Sequence, residues 1–161
     1  MARANSPTFA DLLRQPVHML AFGFGAGLSP TAPGTAGTLL AVPLVFVLRD
    51  LDAVWYLLLT AGLLAAGVWL CGRTARDLQV HDHPGIVWDE IVGYLVTMVF
   101  APPGWLWIAL GFVLFRFFDI VKPWPIRWCD RQVGGGLGIM LDDLLAGAFS
   151  AALLQLLVIF R

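Results

Sequence analysis

Apolar residues along this chain are gathered into runs that short polar or Pro/Gly-containing stretches separate, and this pattern predicts helices. Two runs, residues 53–72 and 141–160, reach the length of about 20 residues that a helix needs to cross a membrane. The runs at 37–48 and 86–101 are shorter, so they require tilt, local membrane thinning or a partly interfacial position. The full set of runs is 17–28, 37–48, 53–72, 86–101, 104–118 and 141–160.

Successive crossings place the polar connections on alternate faces. Residues 29–36, 73–90 and 116–143 then share one face, while the opposite face receives "RDLD" at 49–52 and "APPG" at 101–104. With Arg3 and Arg14 of the N-terminal flank, the first face carries eight of the ten basic residues, and its three stretches hold eight of the eleven acids. Basic residues concentrate on the cytoplasmic side of membrane proteins, so this charged face is predicted to be cytoplasmic.

Composition supports a membrane protein. The hydrophobic fraction is 59%, only 13% of the residues are charged and the mean hydropathy is +0.80, which leaves too little polar surface for a water-soluble globule. A net charge of −1 without basic runs argues against nucleic-acid binding. We expect one all-α domain over residues 1–161, a polytopic helical membrane bundle of about four to five embedded helices. A short N-terminal interfacial or re-entrant helix is expected as well, with residues 1–16 as an interfacial flank.

Paired acids open two of the apolar runs: Asp89 with Glu90, and Asp142 with Asp143. Residues three, four and seven positions further along a helix lie on the same face. Small residues occupy the third and seventh positions after Glu90 and all three positions after Asp143, and small residues let membrane helices approach closely. The acids are therefore predicted to face neighbouring helices.

Acids at a helix N-terminus can simply cap it, because the helix dipole favours anions there. Capping accounts for one acid per helix. Two pairs on one face, together with a further acid, instead match the hard oxygen ligands that Mg²⁺ prefers. The predicted metal ligands are Asp89, Glu90, Asp119, Asp142 and Asp143.

The stretch "FRFFDIVKPWPIRWCDR" at 115–131 supplies cations beside these acids. Arg116, Asp119 and Lys122 are three residues apart and form one stripe on a helix that Pro123 ends. Acids that hold a metal, next to cations that hold phosphate oxygens, are what a phosphoryl-group enzyme requires. The alternative is a basic flank whose long side chains extend to the membrane surface.

Two glycine-rich stretches precede apolar helices, "GLSPTAPGTAGTL" at 27–39 and "GGGLGIM" at 134–140. Backbone N–H groups at such helix N-termini can hold an anion. The predicted phosphate-binding residues are Lys122, Arg127, Arg131, Thr35 and Gly37. The pair His81 and His83 lacks a third ligand at a convincing spacing, so it does not predict a zinc site.

The chain contains four motifs in the order "GLSPTAPGTAGTL", "HDHPGIVWDEIVGY", "FRFFDIVKPWPIRWCDR" and "GGGLGIMLDDLLAG". Together they resemble the phosphatidylglycerophosphatase A family of bacterial membrane phosphatases. The resemblance covers about residues 17–150 and implies an all-helical enzyme. It further implies Mg²⁺-dependent removal of the terminal phosphate from phosphatidylglycerophosphate, giving phosphatidylglycerol. Carried over by motif, the expected catalytic residues are Asp89, Glu90, Asp119, Lys122 and Asp143, with Asp142 beside them.

The resemblance implies an enzyme of the bacterial inner membrane with a site facing the cytoplasm, a lipid substrate and a role in phosphatidylglycerol and cardiolipin synthesis. The residues leave two nucleophiles open, water activated by the metal or an aspartate that becomes phosphorylated. They also leave open an ion-coupled lipid or anion binding or transport protein, although such proteins place ionisable groups at mid-span depth. No oligomeric state is predicted.

Overall fold

A computed structural model describes residues 7–160. Within this range the chain forms eight α-helices and one 3-10 segment, and it contains no strand. The predicted all-α class is therefore confirmed. The helices are α1 (Phe9–Arg14), α2 (Pro16–Ala21), α3 (Pro33–Leu48), α4 (Ala53–Asp77), α5 (Trp88–Thr97), α6 (Trp105–Val121), α7 (Ile126–Gln132) and α8 (Gly135–Ile159), with the 3-10 segment at Gly23–Leu28.

Two helices in the described part of the chain, α4 and α8, are long and apolar enough to cross a membrane. Each has 25 residues, which corresponds to about 37 Å at 1.5 Å per residue against a hydrocarbon core of about 30 Å. Large apolar side chains on α4 are exposed, including Trp55 and Trp69. Such surface indicates association with a membrane. Of the four to five embedded helices that were predicted, these two meet the criteria of length and hydropathy.

Helix α8 lies at the centre of the fold and packs against α4, α5, α6 and α7. It approaches α5 closely, and a Cβ atom on Gly147 would lie only 2.4 Å from the carbonyl oxygen of Gly93. Glu90 lies about one turn before Gly93, and Asp143 about one turn before Gly147. The small residues that the sequence places after these two acids therefore set the distance between the two helices.

The backbone that follows the short helix α5 is supplied with hydrogen-bond donors by other helices. The Tyr56 hydroxyl donates to the carbonyl of Leu95 at 2.8 Å, and the Gln155 amide donates to the carbonyls of Val99 and Phe100 at 3.3 and 2.9 Å. The last carbonyls of a helix have no partner within the helix, so donors from other side chains satisfy them. These contacts allow α5 to end at Thr97, earlier than the apolar run at 86–101 predicts.

The N-terminal region packs against the end of α4 that is near the acids. Thr8 and Asp11 form a capping box that starts α1, and Leu12 is fully buried. In α2, His18 Nε2 lies 3.2 Å from Asp77 Oδ2 in the last turn of α4. Part of the predicted N-terminal flank, residues 1–6, lies outside the described residues.

Candidate active site

Three helices bring five carboxylates together at one end of the bundle. The first turn of α5 contributes Asp89 and Glu90, the last turn of α6 contributes Asp119, and the third turn of α8 contributes Asp142 and Asp143. Oxygens of Asp89, Glu90 and Asp143 lie within 4.8 Å of one another, and so do oxygens of Asp119, Asp142 and Asp143. All five predicted metal ligands thus occupy one cluster, and Asp143 belongs to both groups.

The carboxylates are largely removed from solvent. Asp89, Asp142 and Asp143 are only 7, 8 and 3% exposed. Among the described residues, neither Glu90 Oε2 nor Asp143 Oδ1 has a hydrogen-bond partner, although both atoms are buried. Buried charged oxygens without a partner are costly. A bound divalent cation would supply the missing interaction, and these oxygens are the ligand type that suits Mg²⁺.

Arg116 is the principal cation beside the cluster. Its Nη1 atom lies 2.7 Å from Asp119 Oδ2 and 4.0 Å from Glu90 Oε1, and it donates to the Thr38 hydroxyl at 3.4 Å. The sequence places Arg116 on the same stripe as Asp119 but does not single it out as a site residue. Its spacing of three residues from Asp119 is the signal that identifies it.

Lys122 connects the cluster to α7. Its ammonium donates to Asp130 Oδ1 at 2.8 Å and also to Asp142 Oδ2. Partial burial lowers the pKa of Lys122, but the hydrogen bonds to Asp130 and Asp142 outweigh it and hold the pKa above the usual lysine value. An ammonium has three donors, so these two contacts leave one for another oxygen.

Two of the other cations proposed for phosphate binding lie outside this cluster. Arg127 is exposed and donates to the backbone carbonyl of Val121 at 3.0 Å. Arg131 is also exposed. Within residues 7–160 neither guanidinium forms an ion pair with an acid of the cluster. Both lie on α7, the helix whose Asp130 accepts a hydrogen bond from Lys122.

Comparison with known proteins shows the family of this chain. A family model described as Phosphatidylglycerophosphatase A matches residues 19–158. The chain belongs to the phosphatidylglycerophosphatase A family. The protein named phosphatidylglycerophosphatase A in Escherichia coli K12 is 50% identical over 143 residues, 88% of this chain and 83% of the relative. The Haemophilus influenzae protein of the same name is 45% identical over 148 residues, 91% of each chain. No solved structure gives a significant match.

The glycine-rich stretch that opens α3 reaches the cluster in this member of the phosphatidylglycerophosphatase A family. A Cβ atom on Gly34 would lie 2.2 Å from Glu90 Oε1 and 3.2 Å from the Arg116 guanidinium. Gly37, which was predicted to bind phosphate, packs against Val87 instead of facing the acids, and Thr35 is half-buried on the same helix. A side chain at position 34 would overlap the Glu90 carboxylate and displace it from its present position.

The opposite end of the bundle lacks this concentration of acids. A cavity of about 340 Å³ lies there between the α3–α4 turn and the segment after α5, and its lining includes Arg49, Asp50, Tyr56 and Pro102. Asp50 is exposed and its carboxylate lies 3.7 Å from Arg49 Nε. Asp50 and the acid cluster are at opposite ends of α3 and α4. The charged chemistry of the family motifs is therefore confined to one end of the fold.

Proposed function

We propose that this protein hydrolyses phosphatidylglycerophosphate to phosphatidylglycerol and inorganic phosphate in a Mg²⁺-dependent reaction. The observation that carries the proposal is the cluster of five carboxylates with Arg116 and Lys122 at one end of an apolar bundle. The names of the two relatives support the choice of substrate. Acids that bind a cation and basic groups that bind phosphate oxygens are the parts a phosphomonoesterase needs.

The position of the cluster suits a lipid substrate. Acyl chains of the substrate must stay in the bilayer while its terminal phosphate reaches water. The acids occupy the first turn of α5, the last turn of α6 and the third turn of α8, so they lie toward one end of each helix and not at the centre of a span. This placement favours surface chemistry over ion-coupled transport, which uses groups at mid-span depth.

Each charged residue has a defined task in this proposal. Bound Mg²⁺ would supply the Lewis acidity that withdraws charge from the phosphate oxygens. Asp89, Glu90, Asp119, Asp142 and Asp143 would hold it. Arg116 is fixed by its contact with Asp119 and neutralises a non-bridging phosphate oxygen. Lys122 positions Asp142 and offers its third donor to the phosphate, and Arg127 and Arg131 attract the anionic headgroup from the solvent side.

The proposed reaction is a displacement by water. The water oxygen forms a bond to phosphorus, the bond between phosphorus and the glycerol oxygen breaks, and the electron pair of that bond stays on the glycerol oxygen. A carboxylate oxygen of the cluster that does not hold the metal accepts the proton from water. The glycerol oxygen takes up one proton, so the products are phosphatidylglycerol and inorganic phosphate.

The location that fits this reaction is the cytoplasmic face of the bacterial inner membrane, with α4 and α8 crossing the bilayer. Six of the ten basic residues belong to the polar stretches assigned to the acid-bearing face, and two more lie in the N-terminal flank. Phosphatidylglycerol made there would enter phospholipid synthesis and, further on, cardiolipin synthesis.

The test is phosphate release by the purified protein in detergent micelles that contain phosphatidylglycerophosphate and Mg²⁺. We expect equal amounts of inorganic phosphate and phosphatidylglycerol. A protein that binds fresh substrate without releasing phosphate would refute hydrolysis and favour binding or transport. Substrate with a chiral isotopically labelled thiophosphate, hydrolysed in water that carries the remaining oxygen isotope, distinguishes the nucleophiles. Direct attack by water inverts the configuration at phosphorus, whereas a phosphorylated aspartate leads to retention.

A further inference from the structure

The acid cluster contains two ligand groups instead of one. One group joins the start of α5 to α8 through Asp89, Glu90 and Asp143. The other joins the end of α6 to α8 through Asp119, Asp142 and Asp143. Three carboxylates are sufficient protein ligands for one Mg²⁺, which usually keeps several waters. The cluster therefore has enough oxygens for two ions, and the groups meet at a single residue.

Asp143 has the properties of a bridging ligand. It is 3% exposed, lies between α5 and α6, and is the member that both groups share. Its Oδ1 atom is buried without a hydrogen-bond partner in the described part of the chain. A carboxylate can offer one oxygen to each of two ions. An unpartnered buried oxygen at the junction of the groups is an observation independent of the number of acids.

The charges also indicate more than one cation. The five carboxylates face two basic side chains, Arg116 and Lys122, and Lys122 is shared with a sixth acid, Asp130. The cluster therefore keeps a formal excess of at least three negative charges, and a phosphate substrate adds more. One divalent ion would leave the site strongly negative at the moment the substrate binds, whereas two ions bring it close to neutrality.

We propose that the cluster holds two divalent cations, one in each ligand group, bridged by Asp143. The inference rests on the proposed function, because it specifies the metal content of the same site. Two ions that share a carboxylate are typically about 3.5 to 4 Å apart and can stabilise both the attacking and the leaving oxygen of a displacement at phosphorus. Asp89 and Glu90 bind only the first ion, and Asp119 and Asp142 bind only the second.

The experiment uses Mn²⁺ as a paramagnetic substitute for Mg²⁺ with the full-length protein in detergent, after removal of bound metal by a chelator. Titration followed by electron paramagnetic resonance of free Mn²⁺ counts the bound ions. We expect two per chain and, at low temperature, the spectrum of a spin-coupled pair with halved hyperfine spacing. One ion per chain, or two ions without coupling, would overturn the proposal.

Variants assign the ions to their groups. Asp89→Asn and Asp119→Asn are each expected to bind one Mn²⁺ with an uncoupled spectrum, and Asp143→Asn is expected to lose the coupling. Asp50→Asn, at the opposite end of the bundle, should keep the coupled pair. Circular dichroism checks that each variant is folded, and the wild-type spectrum alone decides the main question if a variant is not. Loss of both ions in Asp89→Asn and Asp119→Asn, with the fold intact, would contradict separate groups.

Phosphate release measured on the same wild-type sample separates this proposal from the proposed function. Release of phosphate by a protein that binds a single Mn²⁺ would refute the two-ion site and leave the hydrolase intact. A coupled pair in a protein that releases no phosphate from phosphatidylglycerophosphate would support the two-ion site and refute the proposed hydrolysis.

Discussion

The contact between α5 and α8 sets the geometry of the acid cluster, so a change at Gly147 is expected to reduce activity without touching a charged residue. In Gly147→Ala, the new methyl group would lie 2.4 Å from the carbonyl oxygen of Gly93 and 3.1 Å from Cβ of Val96. The first distance is about 1 Å shorter than ordinary contact, and the obstacle is backbone. Helix α8 must therefore move away from α5 by about that amount.

The magnitude follows from this displacement. Asp143 lies one turn before Gly147 and moves with it, while Asp89 and Glu90 stay with α5. A misplacement of about 1 Å at a site of this kind costs about 100-fold in turnover, which corresponds to about 2.7 kcal/mol in the activation barrier. Overpacking of the interface costs about 1 to 3 kcal/mol in the free energy of unfolding. Helix propensity acts in the opposite direction, because alanine favours a helix over glycine.

The assay is Mg²⁺-dependent phosphate release from phosphatidylglycerophosphate in micelles, together with thermal unfolding. Gly62→Ala on α4 is the matched control, because no heavy atom lies within 4 Å of a Cβ at that position. We expect this variant to retain wild-type turnover. Equal turnover in Gly147→Ala and Gly62→Ala would show that the α5–α8 distance does not govern the chemistry and would refute the reasoning.

Three further predictions concern charged residues. Asp143→Asn is expected to lower turnover at least about 100-fold with unchanged helix content. Asp50→Asn should stay within about twofold of wild-type turnover. Similar phosphate release by both variants would contradict the assignment of the acid cluster as the active site. Arg116→Lys should lose about 100-fold in kcat, because a lysine cannot reproduce the fork of donors, and wild-type kcat would exclude Arg116 from phosphate binding. The pKa of Lys122 is raised above the ordinary lysine value of about 10.5. Its ammonium therefore stabilises the fold fully at every pH below that ordinary value. This stabilisation is lost only as the pH rises through the raised pKa. The difference in Tm between wild type and Lys122→Met should thus stay constant from about pH 7 to about pH 9, and a difference that shrinks in this interval would contradict the Lys122 pairing.

Hydropathy alone predicted most of the helices. The run at 53–72 corresponds to α4, which continues to Asp77 because Arg73 and Asp77 form an ion pair one turn apart beyond the apolar part. The run at 86–101 was predicted too long. Helix α5 ends at Thr97, and Phe100 adopts a φ of 57° in the turn that follows. Helix α7 has no apolar run of its own, so hydropathy could not reveal it.

The local parts of the site could be predicted better than its long-range contacts. Spacing along a helix indicates the pairing of Arg116 with Asp119 and the inward direction of Asp143. The contact of Gly34 with Glu90 joins residues that are far apart in sequence, and so does the one between Lys122 and Asp142. These contacts depend on how the helices pack, and periodicity within one helix carries no information about that.

The most direct measurement is phosphate release from phosphatidylglycerophosphate by protein that has been stripped of metal with a chelator and then titrated with Mg²⁺. We expect no phosphate release from the stripped protein and full recovery of phosphate release when Mg²⁺ is added. The stripped Asp143→Asn variant should not recover wild-type phosphate release. Full activity of the stripped protein in the continued presence of chelator would contradict the claim that the clustered carboxylates act by holding a cation.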